Sequence, residues 1–164
     1  FNSAPNGGEL TFNLLEIAKV TIPMEAQRFF FPLTFIGFGV LGALFPFHTW
    51  SPDGHASAPT AVSMLHAGVL MKLGAFGIIR IGLSLMPEGA QMWMPLLIAL
   101  GAVNVIYGAI SAMGQTDLKY VIGYSSVSHM GYVLLGMAAV VSQSPAGAQA
   151  GMNGAVMQLS LIHI

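Results

Sequence analysis

The stretch "HAGVLMKLGAFG", residues 66–77, decides the fold, and it lies in the middle of a predominantly apolar run over residues 61–85. About 20 apolar residues suffice for a helix to cross the roughly 30 Å hydrocarbon core of a bilayer. Lys72 lies deep inside this run, where a lysine costs roughly 2.5–3.5 kcal/mol on insertion scales. Its stem is too short to reach either surface comfortably. The sequence therefore predicts a membrane helix in which Lys72 faces protein, water or an acid.

The composition of the 164-residue chain also fits a bilayer. Hydrophobic residues make up 55% and charged residues 7%, with a mean hydropathy of +0.74, whereas an ordinary soluble domain is about 25% charged. The formal net charge is −1, and no basic patch favours nucleic acid as a partner. The absence of cysteine excludes disulfides, thiolate metal sites and cysteine-bound iron–sulfur clusters in this segment.

Four apolar spans and the start of a fifth are predicted along the chain. Unbroken runs of this length favour helices over barrel strands, which would alternate with period two. The predicted fold class is all-α: a polytopic transmembrane helix bundle with a discontinuous helix around Lys72. The spans are residues 29–47, 61–85, 93–113 (apolar apart from Asn104), 121–141, and a partial span from about residue 151.

The segments outside these spans are more polar. "LTFNLLEIAKV", residues 10–20, has a loose amphipathic pattern, so residues 1–28 are expected to form an interfacial loop or amphipathic segment. "SPDGHASAPT", residues 51–60, is predicted to be a turn. Lys19, Arg28 and Arg80 fall on one side if the spans alternate, which predicts that side to be cytoplasmic or matrix. The first residues lack a signal-peptide pattern and resemble the interior of a longer chain.

Three glycines near Lys72 bear on its surroundings. Gly68, Gly74 and Gly77 each lower helix propensity by about 1 kcal/mol relative to alanine, which favours local unwinding or close helix packing. Irregular backbone within a membrane lines a cavity or is buried in protein. We therefore expect a polar pocket at mid-bilayer, where Lys72 carries protons if its pKa lies near the working pH. The alternative is a fixed ion pair with an acid on another helix.

A second polar group follows the third span. Asp117 and Lys119 stand between two apolar runs, and the next helix carries polar side chains at i, i+1, i+4 and i+5, which share a face. Hydroxyls, imidazole and trapped water can form a proton path, although ordinary helix–helix hydrogen bonds explain the same residues. The four side chains are those of Tyr124, Ser125, Ser128 and His129.

His66 is a further candidate for proton relay. A single histidine on an apolar face is more often a hydrogen-bonded packing residue, so both interpretations stay open. Its helix offers no second histidine at metal-ligand spacing, and we expect no bound metal.

Three motifs resemble the antiporter-like proton-pumping subunits of respiratory complex I, NADH:quinone oxidoreductase, most closely those of the subunit M type, called chain 4 in some systems. They occur in the family's order and spacing, within a resemblance that covers roughly residues 34–158. The motifs are "PFHTWSPDGHASAPT" (residues 46–60), "AGVLMKLGAFGIIR" (67–80) and "QTDLKYVIGYSSVSHMG" (115–131).

The resemblance implies the roles of individual residues. Lys72 matches a lysine taken to be the central proton carrier, and Lys119 matches a second lysine taken to pass the proton along the membrane. The partner glutamate and the exit glutamate of the family lie on helices outside this chain. NADH, FMN, iron–sulfur clusters and quinone would be held by other subunits, and this chain would have no redox centre. The implied location is a bacterial inner membrane, or an inner mitochondrial or thylakoid-type membrane, beside other membrane subunits.

The chain departs from the family pattern in two places. Ser51, Gly54 and Ser57 stand where the family usually has leucine, alanine and an acid or polar residue. Near the end, His163 falls one position later than the family's histidine, so it receives no role. We expect residues 159–164, "LSLIHI", to be non-native.

Two other functions remain open at this point. A cation/proton antiporter of the multisubunit Na⁺/H⁺ type, or a membrane-bound hydrogenase subunit, would share these helices and lysines. A passive scaffold would predict that Lys72→Met leaves coupled proton transport intact.

Overall fold

The computed structural model describes residues 13–141 and 145–161, and within them every regular element is a helix. Seven stretches carry the architecture, joined by short turns. They are α1 (Leu14–Ile17), α2 (Met24–Leu41), α3 (Trp50–Ser57), a continuous helix (Thr60–Leu83) that contains α4 (Thr60–Leu65) and α5 (Met71–Gly77), then α6 (Pro87–Met113), α7 (Leu118–Val140) and α8 (Pro145–Leu161). The predicted all-α bundle is confirmed.

The observed helices agree with the predicted spans in number and shift at their ends. By length and composition, Thr60–Leu83 and Pro87–Met113 are long and apolar enough to cross a membrane, among the helices of the described ranges. At 1.5 Å per residue, α6 is about 40 Å long. The last predicted span begins earlier than expected, at Pro145, because proline is well suited to the first turn of a helix.

The first predicted span is displaced at both ends. α2 already begins at Met24 and includes polar residues that the hydropathy pattern excluded. One of them, Gln27, is buried, and its side-chain oxygen accepts a hydrogen bond from the Gly89 N–H of α6 at 3.1 Å. α2 ends at Leu41, followed by Ala43 in the left-handed region at φ 52°.

The predicted turn over residues 51–60 is wrong, because most of it forms α3. Pro52 is the third residue of that helix, within the first turn, where its missing N–H costs no hydrogen bond. The chain leaves the helix at Ala58, in an extended conformation before Pro59, as expected for a residue that precedes proline.

The discontinuity predicted around Lys72 takes the form of a change in helical register. α5 is flanked by π-helical segments, His66–Leu70 and Ile78–Leu83, while the helix continues from Thr60 to Leu83. π-Helical turns are rare in proteins, and those that occur often lie at functional sites. A full break in the helical backbone lies earlier in the chain, where residues 42–49 separate α2 from α3. We call this segment the interruption.

Close helix contacts over small residues hold the bundle together. A Cβ on Gly108 of α6 would lie 2.7 Å from the Ser128 backbone nitrogen of α7, and one on Gly131 would lie 2.8 Å from the Val105 nitrogen. Membrane helices associate through such small-residue contacts. The core beside them is apolar and includes Leu97, Val127, Met130, Val133, Leu134 and Met137.

Two sequence-based expectations, the amphipathic segment at the start and the non-native residues at the end, stay predictions. α1 covers only Leu14–Ile17 and buries no residue, and the earlier part of the predicted amphipathic segment, residues 10–12, lies outside the described residues. Residues 159–161 continue α8. His163 and the rest of the end expected to be non-native lie outside the described residues.

Candidate functional site

Lys72 lies in the first turn of α5, directly after the π-helical segment that begins at His66. Its side chain is partly exposed, but its Nζ is buried and has no hydrogen-bond partner in the described part of the chain. A buried ammonium without a partner is strongly unfavourable. The structure shows no fixed ion pair for Lys72 within the described ranges, and the polar environment expected around it stays a prediction.

Gly74 and Gly77 press α5 against the end of α2. A Cβ on Gly74 would collide with the Gly42 backbone nitrogen and lie 2.7 Å from its Cα, while one on Gly77 would meet the ring of Phe38. Of the two effects expected from these glycines, close helix packing is the one observed. The helix α5, which carries Lys72, is thereby held against the start of the interruption between α2 and α3.

Asn104 of α6 holds this interruption in place, and sequence reasoning gave it no role. Its side chain is fully buried; Oδ1 accepts from the Phe45 N–H at 2.9 Å, and Nδ2 donates to the Val127 carbonyl at 3.1 Å. One amide thus connects α6 to the interruption and to α7. The available signal was an amide within an otherwise apolar predicted span.

Three histidines lie around the interruption and α3. His48 and His55 are 3% and 2% exposed, and the rings of His55 and His66 are 5.5 Å apart between centroids. The His55 Nδ1 is 2.7 Å from the Ser63 hydroxyl. Several of their ring nitrogens and one hydroxyl are buried without a partner among the described residues: His48 Nδ1 and Nε2, His55 Nε2, His66 Nε2 and Ser51 Oγ.

Unpartnered buried polar atoms of this kind usually hydrogen-bond to ordered water. The predicted relay residue His66 lies beside one histidine that was not predicted, His55. The other, His48, contacts the rings of Phe45 and Tyr107. The motif "PFHTWSPDGH" contained both, but only the packing of α3 against the Lys72 helix, Thr60–Leu83, brings His55 near His66. No three His, Asp or Glu side chains are grouped as a metal site requires in residues 13–141 and 145–161.

The polar face predicted on α7 separates into two pairs of residues. Tyr124 and Ser128 contact α6, whereas Ser125 and His129 contact each other. Ser128 donates to the Val105 carbonyl of α6 at 3.1 Å, and Tyr124 packs against Tyr107 with ring centroids 6.4 Å apart. The His129 Nδ1 lies 2.7 Å from the Ser125 carbonyl oxygen of its own helix. Ser128 thus bonds to a neighbouring helix and His129 to its own helix, and the proton-relay role of the four side chains stays a prediction.

Lys119 lies in the first turn of α7 and contacts the C-terminal end of α3. Its Nζ donates to the carbonyls of Ala56 and Ala58 at 3.3 and 3.1 Å, while the side chain is exposed. The structure therefore gives the two predicted lysines different surroundings: Lys72 has a buried, unpartnered Nζ, and Lys119 has backbone acceptors. No hydrogen bond joins the two.

Comparison with known proteins identifies the family of this helix bundle. Residues 5–162 match the family model described as NADH:quinone oxidoreductase/Mrp antiporter, TM. The chain belongs to this family. As a member of the NADH:quinone oxidoreductase/Mrp antiporter family it is a membrane protein, and the resemblance inferred from its three motifs is confirmed.

Individual relatives show which members of the family this chain resembles. The chain is 43% identical to NAD(P)H-quinone oxidoreductase chain 4 1 of a Picosynechococcus species, over 93% of this chain and 27% of the relative. It is 42% identical to chain 4 2 of Thermosynechococcus vestitus, with the same coverage. The chain thus spans about a quarter of the length of these relatives.

A solved structure shows the same fold. The match is to a chain of respiratory complex I from Thermus thermophilus with bound NADH, at 30% identity and a TM-score of 0.76, covering 93% of this chain and 33% of that chain. The relatives are subunits of NAD(P)H-quinone oxidoreductases, so the likeness to enzymes exists at the level of a multisubunit complex.

Proposed function

We propose that this chain is part of a proton-translocating membrane subunit of a respiratory NADH:quinone oxidoreductase. The observation that carries the proposal is the Lys72 Nζ, buried and without a hydrogen-bond partner in the described residues, in a membrane-spanning helix of this family. Ionisable groups inside membranes mark ion and proton pathways. The names of the relatives, chain 4 of such oxidoreductases, support the same conclusion.

The chemistry proposed for Lys72 is the uptake and release of one proton at its Nζ. A lysine held permanently by an acid would keep its charge, whereas an amine without a fixed partner can exchange its proton with water. Both ring nitrogens of His48 and the Nε2 atoms of His55 and His66 are buried with no partner in the described ranges, and imidazole can both accept and donate a proton. We propose that water bound among these atoms brings protons toward the Lys72 helix.

The remaining functional predictions follow from the family. Redox reactions in other subunits would supply the energy; NADH, FMN, iron–sulfur clusters and quinone would be held there, and this chain would carry no redox centre. Neighbouring antiporter-like membrane subunits and the lipid bilayer would be its partners. Its membrane would be a bacterial inner membrane, or an inner mitochondrial or thylakoid-type membrane.

A Na⁺/H⁺ antiporter subunit is the second candidate, because the description of the matching family includes the Mrp antiporter. Purification of the full-length subunit from its native membrane, through an affinity tag, separates the two. The proposal predicts co-purification of NADH:quinone reductase activity, and NADH-driven proton uptake after reconstitution into vesicles. An antiporter would instead exchange Na⁺ for protons across the vesicle membrane with no NADH oxidation, and that result would refute the proposal.

A further inference from the structure

Three tyrosines on α6 and α7 connect an exposed carboxylate of α3 with a buried histidine of the interruption. The Tyr120 hydroxyl donates to Oδ1 of the exposed Asp53 at 3.2 Å. Tyr124 follows four residues later on α7, on the same face of the helix, and its ring centroid is 6.4 Å from that of Tyr107. The Tyr107 ring in turn meets the His48 ring edge to face, with centroids 4.8 Å apart. We call the three tyrosines the tyrosine column.

The column runs inward from one end of the bundle. That end is marked by residues 114–117, which join the end of α6 to the start of α7. At 1.5 Å per residue, Tyr120 lies about 3 Å and Tyr124 about 9 Å along α7, and Tyr107 lies about 9 Å back from the end of α6. The column therefore leads from the surface toward the interruption, against whose start α5 with Lys72 is held.

The inner end of the column is a histidine whose hydrogen-bonding capacity is unused. His48 is 3% exposed, and neither of its ring nitrogens has a partner among the described residues. Buried polar atoms of this kind usually bond to ordered water. An imidazole can take up a proton at one nitrogen and release one from the other. The column thus joins an acid at the surface to a buried group that can receive its proton.

We propose that the tyrosine column is a proton path between Asp53 and His48. Protonation of the Asp53 carboxylate reverses its hydrogen bond, so that the acid donates to the Tyr120 oxygen while the hydrogen of Tyr120 moves inward. At every later step one O–H bond breaks and one forms, because a phenol is both donor and acceptor, and bound water bridges the phenols where only their rings meet. The result is one N–H bond gained at His48, with each tyrosine unchanged.

The inference rests on the proposed function, because protons that reach His48 arrive beside the helix of Lys72. It adds Asp53, Tyr120 and Tyr107 to the groups that move protons, and it gives Tyr124 a defined place among them. The hydroxyls are essential to this role, whereas packing needs only the rings.

Phenylalanine separates the two roles, because it keeps the ring and removes the hydroxyl. Tyr107→Phe and Tyr124→Phe are made in the full-length subunit within the assembled complex. Tyr132→Phe is the matched control, since Tyr132 is a 52% exposed tyrosine of the same helix α7. The experiment measures the initial rate of NADH-driven proton uptake by vesicles in ordinary and in heavy water, together with the subunit content of each complex.

We expect Tyr107→Phe and Tyr124→Phe to slow proton uptake about tenfold, less than the roughly 10²–10⁴-fold that a positioned proton-transfer group contributes, because water can cross part of the gap. The ratio of the rates in ordinary and heavy water should rise, since proton transfer then limits uptake. Tyr132→Phe should change neither quantity. Asp53→Asn should slow uptake in the same way, and Asp53→Glu should restore it.

Two results would overturn the proton path. One is proton uptake at the control rate in both Tyr107→Phe and Tyr124→Phe. The other is slower uptake with an unchanged isotope ratio, which would give the tyrosines a packing role alone. If the tyrosine variants do not assemble, the exposed Asp53 decides: equal uptake by Asp53→Asn and Asp53→Glu would also overturn the path. The proposed function fails separately, if Lys72→Met leaves proton uptake intact, and the tyrosine variants then still report on the column.

Discussion

Replacement of Asn104 by leucine tests how the interruption between α2 and α3 is held. Leucine keeps a similar size but removes the acceptor for the Phe45 N–H and the donor to the Val127 carbonyl. Polar bonds between membrane helices average about 0.6 kcal/mol, with a maximum near 1.7, and a buried donor left unsatisfied costs about 1–3 kcal/mol. We expect the free energy of unfolding to fall by about 1–3 kcal/mol.

The assay is reversible unfolding of the full-length subunit in mixed detergent micelles, followed by circular dichroism. Ser126→Ala is the matched control: Ser126 is also buried, but its hydroxyl bonds only to the Ile122 carbonyl of its own helix, so its loss should change stability by less than about 0.5 kcal/mol. Hydrogen exchange at the Phe45 amide should also accelerate in Asn104→Leu. Equal stability of the two variants, with unchanged exchange at Phe45, would refute the role given to Asn104.

Further substitutions test the packing and the α7 face by the same unfolding measurement. Gly74→Val should destabilise the protein by about 1–3 kcal/mol through overpacking against Gly42, whereas Gly37→Ala, with nothing within 4 Å of its Cβ, should stabilise α2 slightly; equal effects would contradict the close contact. Ser128→Ala should cost about 0.6 kcal/mol, because it removes one bond to the Val105 carbonyl; a cost above about 2 kcal/mol would indicate that Ser128 does more than join α6 to α7.

The apolar spans and Lys72 were predictable because they depend on local chain properties. A long unbroken run of apolar residues favours a helix in a bilayer, where every backbone group needs a partner, and an interrupting lysine is visible in the same run. Family motifs added the expected roles of Lys72 and Lys119.

Other features depend on neighbours that are distant in the chain. The segment forming α3 is rich in Pro, Gly, Ser and Asp, which indicates a turn, yet it is helical where Lys119 and Tyr120 contact it. Asn104 was visible as an exception in its span, but its partners, Phe45 and Val127, follow only from packing. The π-helical segments beside α5 likewise have no local pattern that predicts them.

The most direct test of the account is the initial rate of NADH-driven proton uptake by vesicles containing the assembled complex with Lys72→Met. Lys19→Met serves as the control, because Lys19 is exposed near the start of the described chain. The account predicts that uptake falls well below the control while the complex keeps its subunits and bound cofactors. Uptake at the control rate from a fully assembled Lys72→Met complex would contradict the role of Lys72 as a proton carrier.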